Sequence, residues 1–196
     1  MPPRRSVPLP SASAAPQSSA AGSGKRARVA LIGLPGTGKS TVARHLAKRL
    51  GCEAFDTDAA VEALTAEGIP DFVQRRGWAA FRAHEQRVLH EALERDRVVI
   101  ATGGGVVESA RLADRLAAAA TVVWLYAPAS ILLDRLAADA QPRPLLASEP
   151  ERRLAELARR REPLYARIAD LTLDTAGSDP ATLARRIAAE IGAAAP

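Results

Sequence analysis

Eight consecutive residues, Gly33-Leu34-Pro35-Gly36-Thr37-Gly38-Lys39-Ser40, match the phosphate-cradling pattern G-x-x-x-x-G-K-[ST] at every fixed position. Glycines there let the backbone wrap close to an anion, so that N–H groups and a helix N-terminus aim at a β-phosphate. Lys39 would reach the β- and γ-phosphates and the Ser40 hydroxyl would ligate Mg²⁺. Gly36, Thr37, Gly38 and Thr41 would complete the ATP-binding segment. Lysine is scarce in the chain, three residues against 24 arginines, so a lysine at this position is less of an accident.

A second cluster follows in Asp56-Thr57-Asp58, where carboxylates two residues apart at a strand end would point the same way. One could steady a Mg²⁺ shell while the other meets an acceptor. A hydroxyl attacking a γ-phosphoryl group must lose a proton, and a positioned aspartate is the usual recipient. An acceptor that is already a phosphate needs no such base. Asp58 alone fits a helix N-cap equally well, and the loop upstream favours chemistry.

Three arginines stand apart from the rest. Arg82 has Glu85 one helical turn on, an ion pair that would hold its guanidinium. Arg143 sits between Pro142 and Pro144 in a stiff, extended segment that presents one planar cation. Arg161 precedes Pro163, which should end or kink its helix and leave the arginine at the helix end. An arginine fork matches a carboxylate or a phosphate by paired hydrogen bonds, although each of the three also fits a plain surface cation. Arg152, Arg153, Arg159 and Arg160 read as a solvated helix face with Glu151 and Glu156. Gly103-Gly104-Gly105 is either a strand-ending turn or a place where backbone N–H groups approach a small ligand. His45, His84 and His90 lie in helical patterns without metal-ligand spacing, so no zinc site is expected.

These residues need elements to position them. Strand signals at Val29–Ile32, Glu53–Phe55, Arg97–Ala101, Thr121–Leu125 and Leu171–Leu173 alternate with helical patterns. The helices fall near 41–50, 59–66, 78–95, 109–118, 129–138, 150–161 and 180–191. Alternation of this kind predicts an α/β fold, three αβα layers around a five-stranded parallel sheet, with ligands at the carboxyl ends of the strands. A chain of 196 residues with 47% apolar content can bury one sizeable core. The single cysteine, Cys52, excludes an internal disulfide framework and suits a reducing cytosol; it reads as a small buried side chain. No apolar run reaches membrane-spanning length.

The net charge of +5 comes entirely from residues 1–28, which hold five basic residues and no acid. Residues 29–196 balance, so no nucleic-acid partner is expected. Residues 1–27, rich in Pro, Ser and Ala, read as a disordered tail; they also faintly resemble a transit peptide. Residues 28–192 read as one domain.

The order of P-loop, Asp-x-Asp, Phe-Arg-x-x-Glu, Gly-Gly-Gly, Arg-Pro-Leu-Leu and Arg-x-Pro-Leu-Tyr resembles shikimate kinase, a family with the nucleoside-monophosphate-kinase-like P-loop fold. The resemblance runs from about residue 29 to 191. It implies that Asp58 contacts the acceptor hydroxyl and acts as base, while Asp56 and Ser40 organise Mg²⁺. It implies that Arg82 and Arg161 grip the shikimate carboxylate, that Gly103, Gly104 and Gly105 line the same pocket, and that Arg143 rides a lid over about 139–149. ATP and shikimate would be the partners of a cytoplasmic monomer. Gluconate kinase, a relative with the same fold, is the alternative. A non-catalytic sensing module would call for a DNA-binding motif before Val29, which the polar tail does not supply. Three departures stand out. Gly77-Trp78 replaces the usual Gly-Glu, Val73 falls where some members carry a pocket phenylalanine, and the segment 176–180 that should meet adenine is variable in the family.

Overall fold

A computed structural model describes residues 28–138 and 149–193. Five parallel strands form one sheet in the order β2-β3-β1-β4-β5. They are β1 (Arg28–Ile32), β2 (Glu53–Asp56), β3 (Val98–Ala101), β4 (Thr121–Tyr126) and β5 (Leu171–Asp174). The helices are α1 (Lys39–Leu50), α2 (Thr57–Thr65), α3 (Ile69–Leu93), α4 (Ala110–Ala119), α5 (Ala129–Ala138), α6 (Pro150–Ile168) and α7 (Pro180–Ala193). The tail, Arg143 and the lid segment apart from Glu149 lie outside the described residues.

The three central strands read as unbroken apolar runs because both faces of the sheet are covered, and the period of two divides each run between two cores. Ala30, Ile32, Val98, Ile100 and Val122 face one core, closed by Leu89, Leu112, Leu116, Leu154 and Tyr165 from α3, α4 and α6. Val29, Leu31, Val99, Val123 and Leu125 face the other, closed by Val42 and Leu46 of α1 and Leu183 and Ile187 of α7. A satellite cluster of Val61, Phe72, Phe81 and Val88 joins α2 to α3. Cys52 packs at the edge of the α1 side and is half-buried rather than buried.

Two elements depart from the sequence reading. Helix α3 starts at Ile69, nine residues earlier than periodicity indicated, and bends at Gly77, whose φ of 80° and ψ of 165° are not helical. The two halves carry different apolar faces, so a single 3.6-residue pattern does not span them. Helix α6 continues through Pro163 to Ile168 and places Arg161 inside a helix, not at its end. Its buried face, Leu154, Leu157, Arg161, Tyr165 and Ile168, keeps one stripe across the proline, and packing along that stripe outweighs the lost backbone hydrogen bond.

The sheet order places β1 centrally, between β3 and β4. The loops leaving β1, β2 and β3 therefore open on one edge of the sheet. Thr102 ties two of them together: its N–H and hydroxyl both donate to the Leu31 carbonyl, at 3.1 and 3.0 Å.

Candidate active site

Those loops surround a cleft of about 960 Å³. Gly36 and Gly38 line it from the β1–α1 loop, Lys39, Ser40 and Thr41 from the first turn of α1, Asp56 from the end of β2 and Asp58 from the start of α2. Arg82 and Glu85 of α3, Gly103 to Gly105 and Arg161 of α6 complete the opposite wall. Gly38 caps α1 with a φ of 84°, in the left-handed region that favours glycine. The Lys39 ammonium bridges the carbonyls of Gly33 and Leu34 at 3.0 Å each, which holds its stem across the loop. Thr37 is turned inward: its hydroxyl donates to the Leu34 carbonyl at 2.9 Å, so its side chain shapes the loop from behind.

The Asp-Thr-Asp segment is built differently from two like residues on a strand. The strand ends at Asp56, and α2 begins at Thr57. Asp56, not Asp58, is the N-cap: its Oδ1 accepts from the N–H groups of Asp58 (3.0 Å) and Ala59 (3.2 Å). Asp58 stands in the first helical turn with its carboxylate toward the cleft. Buried Thr57 accepts the N–H of Gly103 at 2.8 Å and so ties this turn to the glycine loop after β3.

At Gly103, Gly104 and Gly105 a side chain would press on the charged groups around the cleft. A Cβ on Gly103 would lie 2.7 Å from Asp58 Oδ1 and 2.8 Å from Glu85 Oε1. On Gly104 it would press on the Gly33 carbonyl at 3.2 Å and the Arg161 guanidinium at 3.4 Å, and on Gly105 it would collide with the Arg82 guanidinium. Charged groups from α2, α3 and α6 thus meet on one stretch of bare backbone. Tyr165 adds a hydrogen bond from its hydroxyl to the Gly104 carbonyl at 2.5 Å.

Among the charges, Arg82 donates to Glu85 Oε2 at 2.6 Å, the ion pair expected from the spacing, and to Glu108 Oε2 at 3.1 Å. Trp78 and Phe81 flank it, their ring centres 5.7 and 5.4 Å from its guanidinium carbon. Arg161 is 2% exposed and donates to the same Glu108 oxygen at 3.1 Å. Its Nε and Glu85 Oε1 are buried without a hydrogen-bond partner among the described residues. Burial raises the Glu85 carboxyl above its ordinary value, opposed by Arg82 and reinforced by the Asp58 charge. For Glu108, burial acts upward as well, but the Arg161 hydrogen bond and the charges of Arg161, Arg160 and Arg82 outweigh it and hold the carboxyl low.

The chain matches the family model described as shikimate kinase over residues 35–192. It belongs to the shikimate kinase family. A shikimate kinase of Halorhodospira halophila is 47% identical over 161 residues, spanning 82% of this chain and 90% of that protein. The solved shikimate kinase of Acinetobacter baumannii in complex with shikimate superposes with a TM-score of 0.82 at 38% identity, covering 86% and 94% of the two chains. A gluconokinase of Sinorhizobium meliloti, at 17% identity and a TM-score of 0.57, shares the fold alone.

Sequence reasoning for a shikimate kinase missed two contributors to this site. Arg135 of α5 donates to the Gly36 carbonyl at 3.4 Å, the Thr175 hydroxyl at 2.9 Å and the Thr175 carbonyl at 2.7 Å, pinning the phosphate loop to the segment after β5. Glu108, in the 3₁₀ turn Val106–Glu108, meets arginines 26 and 53 residues away. No local spacing announces either residue.

Two outcomes follow from this geometry. Gly103→Ala pushes two side-chain ends and no backbone, so its melting temperature stays within a few degrees of the parent. Its kcat/KM falls at least ~10²-fold, the scale of misplacing a reacting group by about 1 Å, in a steady-state assay. Glu85→Gln removes a buried group whose ionisation is disfavoured in the folded state. Wild type therefore loses stability relative to this variant as pH rises above the ordinary glutamate value of 4.5 and through the raised folded one, and paired thermal melts across that range check the sign.

Proposed function

We propose that the chain transfers the γ-phosphoryl group of ATP to the 3-hydroxyl of shikimate, giving shikimate 3-phosphate and ADP. The observation that carries the reading is one cleft lined by a phosphate loop, an aspartate and two arginines set against bare glycine backbone. Gly36, Gly38, Lys39, Ser40 and Thr41 take the triphosphate, and Thr37 holds the loop in shape. Asp58 receives the proton of the attacking hydroxyl. Arg82 and Arg161 grip the acceptor carboxylate, and the backbone of Gly103, Gly104 and Gly105 lets the ring approach. Arg143 meets the phosphates from the lid segment.

Mg²⁺ suits the oxygen donors present. Ser40 offers an exposed hydroxyl at the start of α1, and the Asp56 carboxylate is oriented by the two N–H groups it caps. These two residues would hold the ion, which when bound neutralises charge on the β- and γ-phosphate oxygens. Around it the chain's own groups do the remaining work: Lys39 and the loop N–H groups meet charge on the phosphoryl oxygens, and Asp58 takes the proton.

A hydroxy-acid acceptor of other shape, such as gluconate, remains the second reading, because paired arginines would also take its carboxylate. ADP release measured with shikimate, gluconate and quinate offered separately decides between them; turnover with shikimate far above the other two is expected. Asp58→Asn should lower turnover at least ~10²-fold and leave ATP affinity near normal. Near-parental turnover would remove Asp58 from the role. Arg82→Ala and Arg161→Ala should raise the KM for shikimate steeply and spare that for ATP, and an unchanged acceptor KM would make both arginines structural.

A further inference from the structure

Glu108 belongs to none of the recurring motifs, yet it is where three arginines meet. Its Oε2 accepts from Arg82 of α3 and Arg161 of α6, each at 3.1 Å, and its Oε1 faces Arg160. Two guanidinium nitrogens that share one oxygen are separated by at most twice that distance, and like charges so close repel strongly in a partly desolvated cleft. The two arginines are not equally able to yield. Arg161 is 2% exposed and fixed among core side chains, whereas Arg82 is 31% exposed and has solvent to move into. Glu85 holds one end of the Arg82 fork at Nη1, and Glu108 takes the other at Nη2.

We propose that Glu108 is a positioning residue for the acceptor, holding Arg82 against Arg161 at the spacing that lets both guanidiniums engage one carboxylate. The inference rests on the reading of these two arginines as the carboxylate grip. By this account the resident carboxylate offsets the repulsion before the acceptor arrives, so that acceptor binding does not have to draw the two cations together. Arg160, 63% exposed, adds charge at the other oxygen without reaching the cleft wall. The opposing possibility is that Glu108 competes with the acceptor for the same donors, which reverses the sign of every effect below.

Glu108→Gln keeps the side chain's size and one carbonyl acceptor while removing its charge. The KM for shikimate and its dissociation constant by titration calorimetry should both rise about tenfold or more, the scale of one charge-assisted hydrogen bond. Turnover and the KM for ATP stay within about twofold. Binding of shikimate methyl ester, which lacks the anion, should change little, so discrimination between acid and ester narrows. Glu108→Ala should move the same quantities further. Unchanged or tighter shikimate binding overturns the proposal, as does an equal loss for the acid and the ester. A fall in melting temperature large enough to explain the binding loss overturns it too. Arg82→Ala and Arg161→Ala run alongside separate the two failures. If they weaken shikimate binding and Glu108→Gln does not, only the role of Glu108 falls; if they do not, the grip itself is wrong.

Discussion

The site depends on a stretch of backbone that charged side chains can approach without meeting a Cβ. Asp58 and Glu85 stand against Gly103, Arg161 against Gly104 and Arg82 against Gly105. These groups come from α2, α3 and α6, three helices that the apolar packing already brings to this edge of the sheet. The strand before the glycines is fully buried and paired on both sides, so the loop leaves from a fixed point. The Thr57 hydroxyl then fastens it at Gly103 and the Tyr165 hydroxyl at Gly104. A bare backbone held this firmly is what allows opposite charges to be packed close and still face a ligand.

That packing is costly in isolation. Glu85 is almost wholly buried, its carboxyl raised by desolvation, and one of its oxygens finds no partner among the described residues. Arg161 is buried, and its Nε finds no hydrogen-bond partner among the described residues. Groups of this kind each cost about 1–3 kcal/mol when unsatisfied, and a fold tolerates them where a ligand can use them. The two acids in the cluster behave oppositely, Glu85 held high by burial and Glu108 held low by arginines, because only the second has enough cationic neighbours to overcome its desolvation.

On the nucleotide side the constraints are backbone ones. The phosphate loop takes its shape from left-handed glycines, the inward Thr37 hydroxyl and the Lys39 bridge, all local in sequence. Arg135 is the long-range element, reaching from α5 to lock this loop to Thr175 at the far edge of the sheet. The two halves of the cleft therefore differ in kind. One is a local motif, and the other is assembled from distant helices by charge.

That difference explains what could be read from the chain alone. Hydrophobic periodicity and punctuation by glycine determined the five strands and the phosphate loop, because each is set by neighbours within a few residues, and the alternation of strands with helices implied the parallel sheet. The Arg82–Glu85 pair was legible for the same reason, as one helical turn joins them. Only the tertiary structure decided that Asp56 rather than Asp58 caps α2, since that depends on where β2 stops. It also carried α6 through Pro163 and bent α3 at Gly77, where burial of a face overrides local propensity. The meeting of Glu108 with Arg82 and Arg161 was the least legible. Its partners are 26 and 53 residues away, and only the sheet order and the helix packing bring them to one oxygen.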